Sequence, residues 1–247
     1  MNTDKDSSNL FSLKSKIAVV TGAARGNGYA ISEGLRKYGA QVIGLDRMSH
    51  PELIESKKCI KCDVTSTKDV AECLKEYPRI DILVNNAGVS TPRPFLSYPE
   101  DIWDETYEVN LKAPFKLMQY VANAMKDSGG SIINITSLNA ELGFPDNPAY
   151  LATKGGLKQL TKSAAMDLGK YNIRVNNVGP GYIATEMTRP SWEDEEKRKA
   201  RTEHTILKRW GQPEDLVGVC VFLASEASAY ITGQDIYVDG GWSIKGL

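Results

Sequence analysis

The sequence has little of what marks membrane proteins and nucleic-acid-binding proteins. Its longest apolar runs, such as residues 17–20, are far too short to span a bilayer. Lysine and arginine total 30 against 31 aspartate and glutamate residues, so no basic excess favours nucleic acid or an anionic membrane as a partner. Residues 1–13 are polar and lack the layout of a signal peptide. They predict a flexible N-terminal tail, and the chain as a whole predicts a cytoplasmic protein.

Cysteine is also scarce, and only two of the four cysteines have a spacing that suits redox or metal chemistry. Cys59 and Cys62 form a C-x-x-C pair, but they fall in a short strand-type run, where side chains three apart point to opposite faces. No second C-x-x-C and no H-x-x-x-H follows. We therefore interpret both as small buried residues of a strand, and we expect no metal site.

What the sequence does contain is an alternation of short β-type runs with longer helical patterns. The 247 residues suit one large α/β domain, and no internal linker or repeat divides them. Such alternation predicts right-handed βαβ units and a Rossmann-type, doubly wound parallel sheet of seven strands in a single domain, residues 14–247. The β-type runs are residues 17–20, 42–45, 59–62, 81–84, 131–136, 173–178 and 235–238.

A glycine-rich segment, T-G-x-x-x-G-x-G at residues 21–28, directly follows the first β-type run and opens a helical pattern. Glycines permit a tight turn and let a backbone approach a pyrophosphate at a helix N-terminus. The segment therefore predicts dinucleotide binding. Asp46 ends the second β-type run, where a carboxylate accepts hydrogen bonds from ribose hydroxyls and repels a 2′-phosphate. This favours NAD over NADP, although Arg25 and Arg47 lie close enough in sequence to attract such a phosphate.

Two helical patterns and one strand exit supply candidate reacting groups. Tyr150 and Lys154 are four residues apart in a pattern that runs from about 149 to 170, so they share a helix face. A nearby cation favours phenolate and would lower the pKa of the phenol towards working pH, as alcohol oxidation or ketone reduction requires. Ser137 ends the fifth β-type run, and a loop with two prolines can return its hydroxyl to the phenol. Asn110 lies inside the other helical pattern, residues 101–126.

Taken together, these residues resemble the short-chain dehydrogenase/reductase family over almost the whole chain. Five features occur in the family's order: T-G-x-x-x-G-x-G at 21–28, N-N-A-G at 85–88, the Asn110/Ser137/Tyr150/Lys154 set, P-G-x-x-x-T at 180–185 and V-D-G-G at 238–241. Two positions depart from the pattern. Asn27 stands where the family usually has an aliphatic residue, and Leu151 where it usually has a small one.

The resemblance implies an oxidoreductase in which Tyr150 exchanges a proton with the substrate oxygen. Lys154 would lower the Tyr150 pKa and bind the nicotinamide ribose, Ser137 would polarise the carbonyl, and Asn110 would hold a relay water. It also implies a homotetramer. The residues that we predict to bind NAD are Gly22, Arg25, Asn27, Gly28, Asp46, Asp63, Val64, Asn86, Ala87, Gly88, Tyr150, Lys154, Pro180, Gly181, Ile183 and Thr185.

The substrate side of the sequence is less specific. Residues 186–209 are highly charged and predict a substrate lid. Polar loop residues suggest a sugar, sugar acid or polyol, with an arginine for a carboxylate. The candidates are Arg93, Asn139, Glu141 and Arg189, whereas His204 suggests a surface histidine. Two alternatives stay open: an NADPH-dependent 3-oxoacyl-thioester reductase, against which Asp46 argues, and a non-catalytic dinucleotide-sensing protein.

Overall fold

The structure is a computed structural model that describes residues 10–48 and 59–246. Within these ranges seven strands form one parallel sheet in the order β3-β2-β1-β4-β5-β6-β7. The strands are β1 (Ile17–Thr21), β2 (Gln41–Asp46), β3 (Cys59–Lys61), β4 (Ile82–Asn85), β5 (Gly130–Ile135), β6 (Ile173–Pro180) and β7 (Asp235–Val238). The predicted Rossmann-type parallel sheet is confirmed, and each predicted run overlaps a strand.

The central strands are mainly apolar because helices cover both faces of the sheet. In β1, Ala18 and Val20 pack into one core and Val19 into the other. The two cysteines follow the same alternation, with Cys59 in the first core and Cys62 in the second. Burial raises the pKa of the Cys59 thiol to about 11, and it raises the pKa of the Cys62 thiol as well. Both are protonated packing residues at neutral pH.

Eight α-helices pack around the sheet in the described ranges. They are α1 (Gly26–Lys37), α2 (Thr67–Leu74), α3 (Glu100–Tyr107), α4 (Ala113–Met125), α5 (Pro148–Leu168), α6 (Arg189–Trp192), α7 (Glu195–His204) and α8 (Val217–Ala224), with a π turn (Glu108–Lys112) between α3 and α4. Helices α1 and α8 cover one face, and α4 and α5 cover the other. None of the helices in this part of the chain is long and apolar enough to cross a membrane.

The topology places a crevice at the carboxyl ends of the strands. The chain passes from β1 outward to β2 and β3, and then returns to β4 on the other side of β1. Ligands of doubly wound sheets bind at such a reversal of strand order. The segments that leave β1, β2, β4, β5, β6 and β7 at this edge include the motifs that the sequence singled out for chemistry.

The expected tail at residues 1–13 falls only partly within the structure, because residues 1–9 lie outside the described ranges. Leu13 is fully buried, and its backbone N–H donates to the Tyr38 carbonyl at 2.9 Å. The Phe11 ring packs against Phe222, with the ring centroids 6.4 Å apart. The packed part of the chain therefore begins before residue 14, the first residue of the expected domain.

Candidate active site

The glycine-rich turn between β1 and α1 has a geometry that larger residues could not adopt. Gly22 and Gly26 have φ angles of +65° and +54°, in the left-handed region. A Cβ on Gly28 would stand 2.0 Å from the Gly22 carbonyl oxygen, so no side chain fits there. The turn brings the N-terminus of α1 to the crevice, where backbone N–H groups favour an anion. Asn27 adds a buried Oδ1 for which the described residues provide no hydrogen-bond partner.

The turn is fixed to the neighbouring strand exit by Thr21 and Asn86. The Thr21 hydroxyl accepts hydrogen bonds from the backbone N–H groups of Asn86 (3.0 Å) and Ala87 (2.9 Å). In return, the Asn86 side-chain amide donates to the carbonyls of Thr21 and Gly22. These four hydrogen bonds hold the two loops together. Nothing in the sequence pattern indicates this role of Thr21.

Asp46 lies at the end of β2 with both carboxylate oxygens in use. Oδ2 accepts the Ala24 N–H at 3.0 Å, and Oδ1 accepts the Met48 N–H at 2.8 Å. The negative charge is thereby held beside the glycine-rich turn. Arg25 is exposed at the rim, and the Arg47 guanidinium is 3.7 Å from a carboxylate oxygen of Glu105.

A cavity of about 290 Å³ opens at this edge of the sheet. Its lining includes the ends of β1, β2, β4, β5 and β6, together with the start of α5. All of the predicted cofactor residues except Gly28 contribute to the lining, and so does the catalytic candidate Ser137. The shape, the glycine turn and the unpaired Asn27 oxygen together fit a dinucleotide.

Tyr150 and Lys154 lie on adjacent turns of α5, as their spacing predicts. The Lys154 ammonium is 5.6 Å from the centre of the Tyr150 ring and donates to the Ile135 carbonyl at 2.7 Å. Lys154 is only 3 % exposed. Ser137 follows β5, lines the same cavity and affects the ionisation of the Tyr150 phenol. The hydroxyl, the phenol and the amine therefore converge at the wall of the cavity.

Burial dominates the ionisation of both groups. Desolvation raises the pKa of the Tyr150 phenol, and the Ser137 side chain only partly offsets this rise. We had expected the charge of Lys154 to lower the pKa of Tyr150. The structure gives the opposite direction, because the phenol is desolvated and desolvation disfavours phenolate. The same effect lowers the pKa of Lys154 to about 8. Lys154 can therefore gain and lose a proton close to neutral pH.

Asn110 is fully buried in the π turn and does not line the cavity among the described residues. Its Oδ1 accepts the Val89 N–H, and its Nδ2 donates to the Val89 carbonyl, each at 2.8 Å. This paired contact fixes the loop that follows the N-N-A-G segment. A water held by Asn110 for proton relay remains a prediction.

Among the predicted substrate residues, Asn139 lies next to the reacting groups. The Ser137 hydroxyl donates to Asn139 Oδ1 at 3.1 Å and accepts the Asn139 N–H at 3.2 Å. Asn147 carries a further unpaired group that the sequence analysis did not identify. Its Nδ2 donates to Ser90 at 2.7 Å, and its buried Oδ1 meets no partner within the described ranges. Asn147 precedes Tyr150 by three residues. This acceptor therefore lies in the segment that joins Ser137 to Tyr150, which we call the catalytic loop.

Arg93, Glu141 and Arg189 are not among the described residues that line the cavity. Arg93 is exposed and donates to the carbonyl of its neighbour Pro92. Glu141 forms an ion pair with Lys158, and Arg189 is exposed. A role for these three candidates at the substrate therefore remains a prediction.

An aromatic cluster connects the expected lid with the catalytic loop. It consists of Phe144, Tyr182, Trp192, Trp210 and Trp242. The closest rings, Tyr182 and Trp242, have centroids 4.7 Å apart. His204 is half-buried against Trp242, at 4.2 Å between ring centres, and is not the surface histidine that the sequence suggested.

A chain of polar side chains runs through the sheet beneath the catalytic helix, and we call it the strand network. Asn85 donates to Asn134 at 2.8 Å, and Asn134 donates to Thr161 of α5 at 2.7 Å. Thr161 donates to Asn177 at 2.6 Å, and Asn177 donates to Asp235 at 2.7 Å. The first four members are at most 3 % exposed. The network ties α5 to strands β4, β5, β6 and β7.

Comparison with known proteins agrees with this fold. Residues 22–243 match a family model described as enoyl-(acyl carrier protein) reductase. The match covers most of the chain, and the protein belongs to the short-chain dehydrogenase/reductase family. It is an oxidoreductase that moves a hydride between a pyridine nucleotide and the CH–OH or ketone group of a small polar molecule. The predicted enzyme class is confirmed.

Several relatives are similar over nearly their full length. A gluconate 5-dehydrogenase of Gluconobacter oxydans is 40% identical over 250 residues, which is 96% of this chain and 98% of the relative. A 2-dehydro-3-deoxy-D-gluconate 5-dehydrogenase of Bacillus subtilis is 40% identical over 244 residues, which is 94% of this chain and 96% of the relative. The crystal structure of a gluconate 5-dehydrogenase from Burkholderia cenocepacia in complex with NADP and tartrate is 33% identical, with a TM-score of 0.91 and coverage of 96% and 99%.

Proposed function

We propose that the protein interconverts a secondary hydroxyl and a ketone on a sugar acid, with NAD(H) as the hydride carrier. The observation that carries the proposal is the convergence of Ser137, Tyr150 and Lys154 at the wall of the crevice. The substrate class follows from the relatives, which are named for gluconate and for 2-dehydro-3-deoxygluconate.

The chain's own residues would handle the proton and the orientation of the substrate. Ser137 would hold the substrate oxygen by a hydrogen bond, and Tyr150 would take the hydroxyl proton during oxidation or return it during reduction. Lys154, with a pKa of about 8, would exchange a proton with the phenol near neutral pH. The nucleotide, when bound, supplies or accepts the hydride. The buried surroundings of Tyr150 and Lys154 exclude water from the transfer.

The test is turnover of a defined substrate panel by the purified protein. With NAD⁺, we expect gluconate-type acids to be oxidised, and with NADH we expect the corresponding keto acids to be reduced, both followed by absorbance of the nicotinamide. A second candidate is the reduction of an acyl thioester, because the family model is described as an enoyl-(acyl carrier protein) reductase and the sequence left a 3-oxoacyl-thioester reductase open. An enoyl thioester and a 3-oxoacyl thioester therefore belong in the same panel. If the protein turns over a thioester and no sugar acid, thioester reduction replaces the sugar-acid proposal.

We further propose that NAD is preferred over NADP. The supporting observation is the fixed carboxylate of Asp46, because a 2′-phosphate brought beside it would meet like charge. The Burkholderia relative, by contrast, was solved with NADP. We expect tighter binding of NADH than of NADPH by nicotinamide fluorescence. Asp46→Ala should reduce the difference in affinity between NADH and NADPH roughly tenfold. Equal binding of the two by the unaltered protein would contradict the preference.

The homotetramer implied by the family resemblance is also a proposal. It is supported by large apolar side chains that are exposed in the single chain, such as Met166 at 84% and Tyr230 at 103%. Light scattering of the purified protein should give four times the chain mass of 27.2 kDa. A monomer mass would reject the proposal.

A further inference from the structure

Arg201 in α7 is a cation that the described part of the chain does not neutralise. Its guanidinium lies 4.5 Å from the centre of the Tyr182 ring and 6.0 Å from that of Trp210. Its Nη1 atom is buried and has no hydrogen-bond partner there, and no ion pair joins it to a carboxylate of those residues. Arg189 in the preceding helix differs, because its guanidinium forms an ion pair with Glu186 at 2.7 Å.

An unpaired guanidinium of this kind is suited to one class of ligand. Burying a charged N–H without an acceptor is costly, so a group that restores the hydrogen bond is bound with a corresponding gain. The planar fork of arginine matches a carboxylate, to which it can donate two parallel hydrogen bonds. The stacking of Arg201 on Tyr182 already fixes the plane of the fork, so less conformational entropy is lost on binding.

Arg201 does not itself line the catalytic cavity that the described residues form, and it is related to that cavity only through its neighbours. Its stacking partner Tyr182 stands between Gly181 and Ile183, both of which line the cavity. The same Tyr182 ring meets Phe144 edge to face at 6.3 Å between centroids. Phe144 belongs to the loop that joins Ser137 to Tyr150, so the aromatic cluster brings α7 against the catalytic loop. A substrate whose oxidised carbon is at Tyr150 would extend along this loop.

We propose that Arg201 binds the carboxylate of the substrate and thereby selects acids over neutral sugars. This inference rests on the sugar-acid function proposed above and assigns the anion-binding role to a residue that the sequence analysis did not select. Arg201 is a specificity residue, because it holds the end of the molecule that does not react. The candidates Arg93 and Arg189 are exposed, and they pair with a carbonyl and a carboxylate of their own segments.

The test compares an acid with its neutral counterpart in matched variants. Arg201→Met keeps an unbranched side chain beside Tyr182 and removes the charge. For a gluconate-type acid we expect KM to rise roughly 50-fold, as loss of a charged hydrogen bond predicts, while kcat changes little. For the alditol of the same configuration, KM should stay within about twofold. Arg201→Lys should recover only part of the loss, because an ammonium lacks the planar fork.

The matched control is Arg198→Met, three residues earlier on α7. The Arg198 guanidinium also stacks on a ring, that of Trp192 at 5.7 Å, but the structure gives it no unpaired buried atom. This variant should bind acids as the unaltered protein does. A second readout is calorimetric titration with tartrate, a carboxylate that does not require turnover. Tartrate binding should persist in Arg198→Met and fall at least tenfold in Arg201→Met.

The outcomes separate this inference from the function on which it rests. If the unaltered protein neither oxidises sugar acids nor binds tartrate, both proposals fail. If it does so and Arg201→Met keeps its KM and its tartrate affinity, only the assignment of Arg201 is overturned. An equal rise of KM for acid and alditol would also overturn it, because that pattern indicates a structural role. Circular dichroism and the melting temperature show whether each variant is folded.

Discussion

The strand network and the groups at the cavity are both polar and buried, but they differ in how fully they are hydrogen-bonded. In the network, each amide or hydroxyl donates to the next member at 2.6–2.8 Å. At the cavity, Asn27 Oδ1 meets no partner among the described residues, and Lys154 makes one hydrogen bond with three available protons. The saturated groups stabilise the fold, whereas the unsaturated ones are available to ligands.

Helix α5 contains both kinds of group: one that stabilises the fold and others that face the cavity. Thr161 follows Lys154 by seven residues, two turns along α5, so the two residues share a face. Thr161 anchors the helix to the sheet, and Tyr150 and Lys154 at the other end face the cavity. Changes at the two ends should therefore have different consequences.

The largest effect is expected at the cavity end. Tyr150→Phe removes only the hydroxyl that exchanges the proton, so kcat should fall about 1,000-fold. Binding of NADH, measured by fluorescence, and the free energy of unfolding should both stay close to those of the unaltered protein. Residual activity above a few per cent would show that another group moves the proton.

The other end of the helix should show the reverse behaviour. Thr161→Val keeps the shape and leaves Asn134 Nδ2 and Asn177 Oδ1 without their partner. Two unsatisfied buried groups should lower the free energy of unfolding by about 3 kcal/mol.

Urea denaturation measures this loss, and Thr67→Val at the exposed start of α2 is the control, expected within about 0.5 kcal/mol. For Thr161→Val, kcat of the folded fraction should stay within about twofold. A stable Thr161→Val protein would mean that the network contributes little to the fold.

A smaller effect is expected from Lys154, whose titration makes the free energy of unfolding depend on pH. The pKa of Lys154 is about 8 in the folded protein and 10.5 for an unperturbed lysine. Between these values the unfolded chain binds more protons, so the contribution of Lys154 to stability rises with pH. From pH 8 to 9.5, the unaltered protein should gain about 2 kcal/mol relative to Lys154→Met, at about 1.4 kcal/mol per pH unit.

The measurement is urea denaturation of both proteins across that range of pH, and the difference between them cancels the titration of other groups. A constant difference from pH 8 to 9.5 would place the pKa of Lys154 near its usual value. It would also remove the argument that Lys154 exchanges protons near neutral pH.

The sequence was informative wherever the relevant spacing is local. Strand runs, the glycine-rich turn and the Tyr150/Lys154 pair each fall within a few residues, and their periodicity fixes the face on which they lie. The helical pattern predicted at residues 101–126 also agrees with α3, the π turn and α4. The sheet edge that collects these groups follows from the parallel topology.

What the sequence could not indicate depends on register and burial. The strand network joins residues as far apart as Asn177 and Asp235, and their pairing exists only once β6 and β7 are aligned. The raised pKa of Tyr150 follows from desolvation, which a spacing of four residues does not reveal. Arg201 lies in a highly charged helix without an apolar stripe, so nothing in its pattern distinguishes it from solvated neighbours.

The π turn at Glu108–Lys112 gives this stretch of chain an unusual tolerance to a change of length. A π turn has i→i+5 hydrogen bonds and holds one residue more than an α turn, so removing one residue here would leave regular α-helix. Leu117 and Val121 in the helix that follows would then stay buried on the sheet. A single deletion within Glu108–Lys112 that spares Asn110 should therefore still give folded protein, whereas a deletion in the middle of α4 would rotate the residues after it by about 100° and should not.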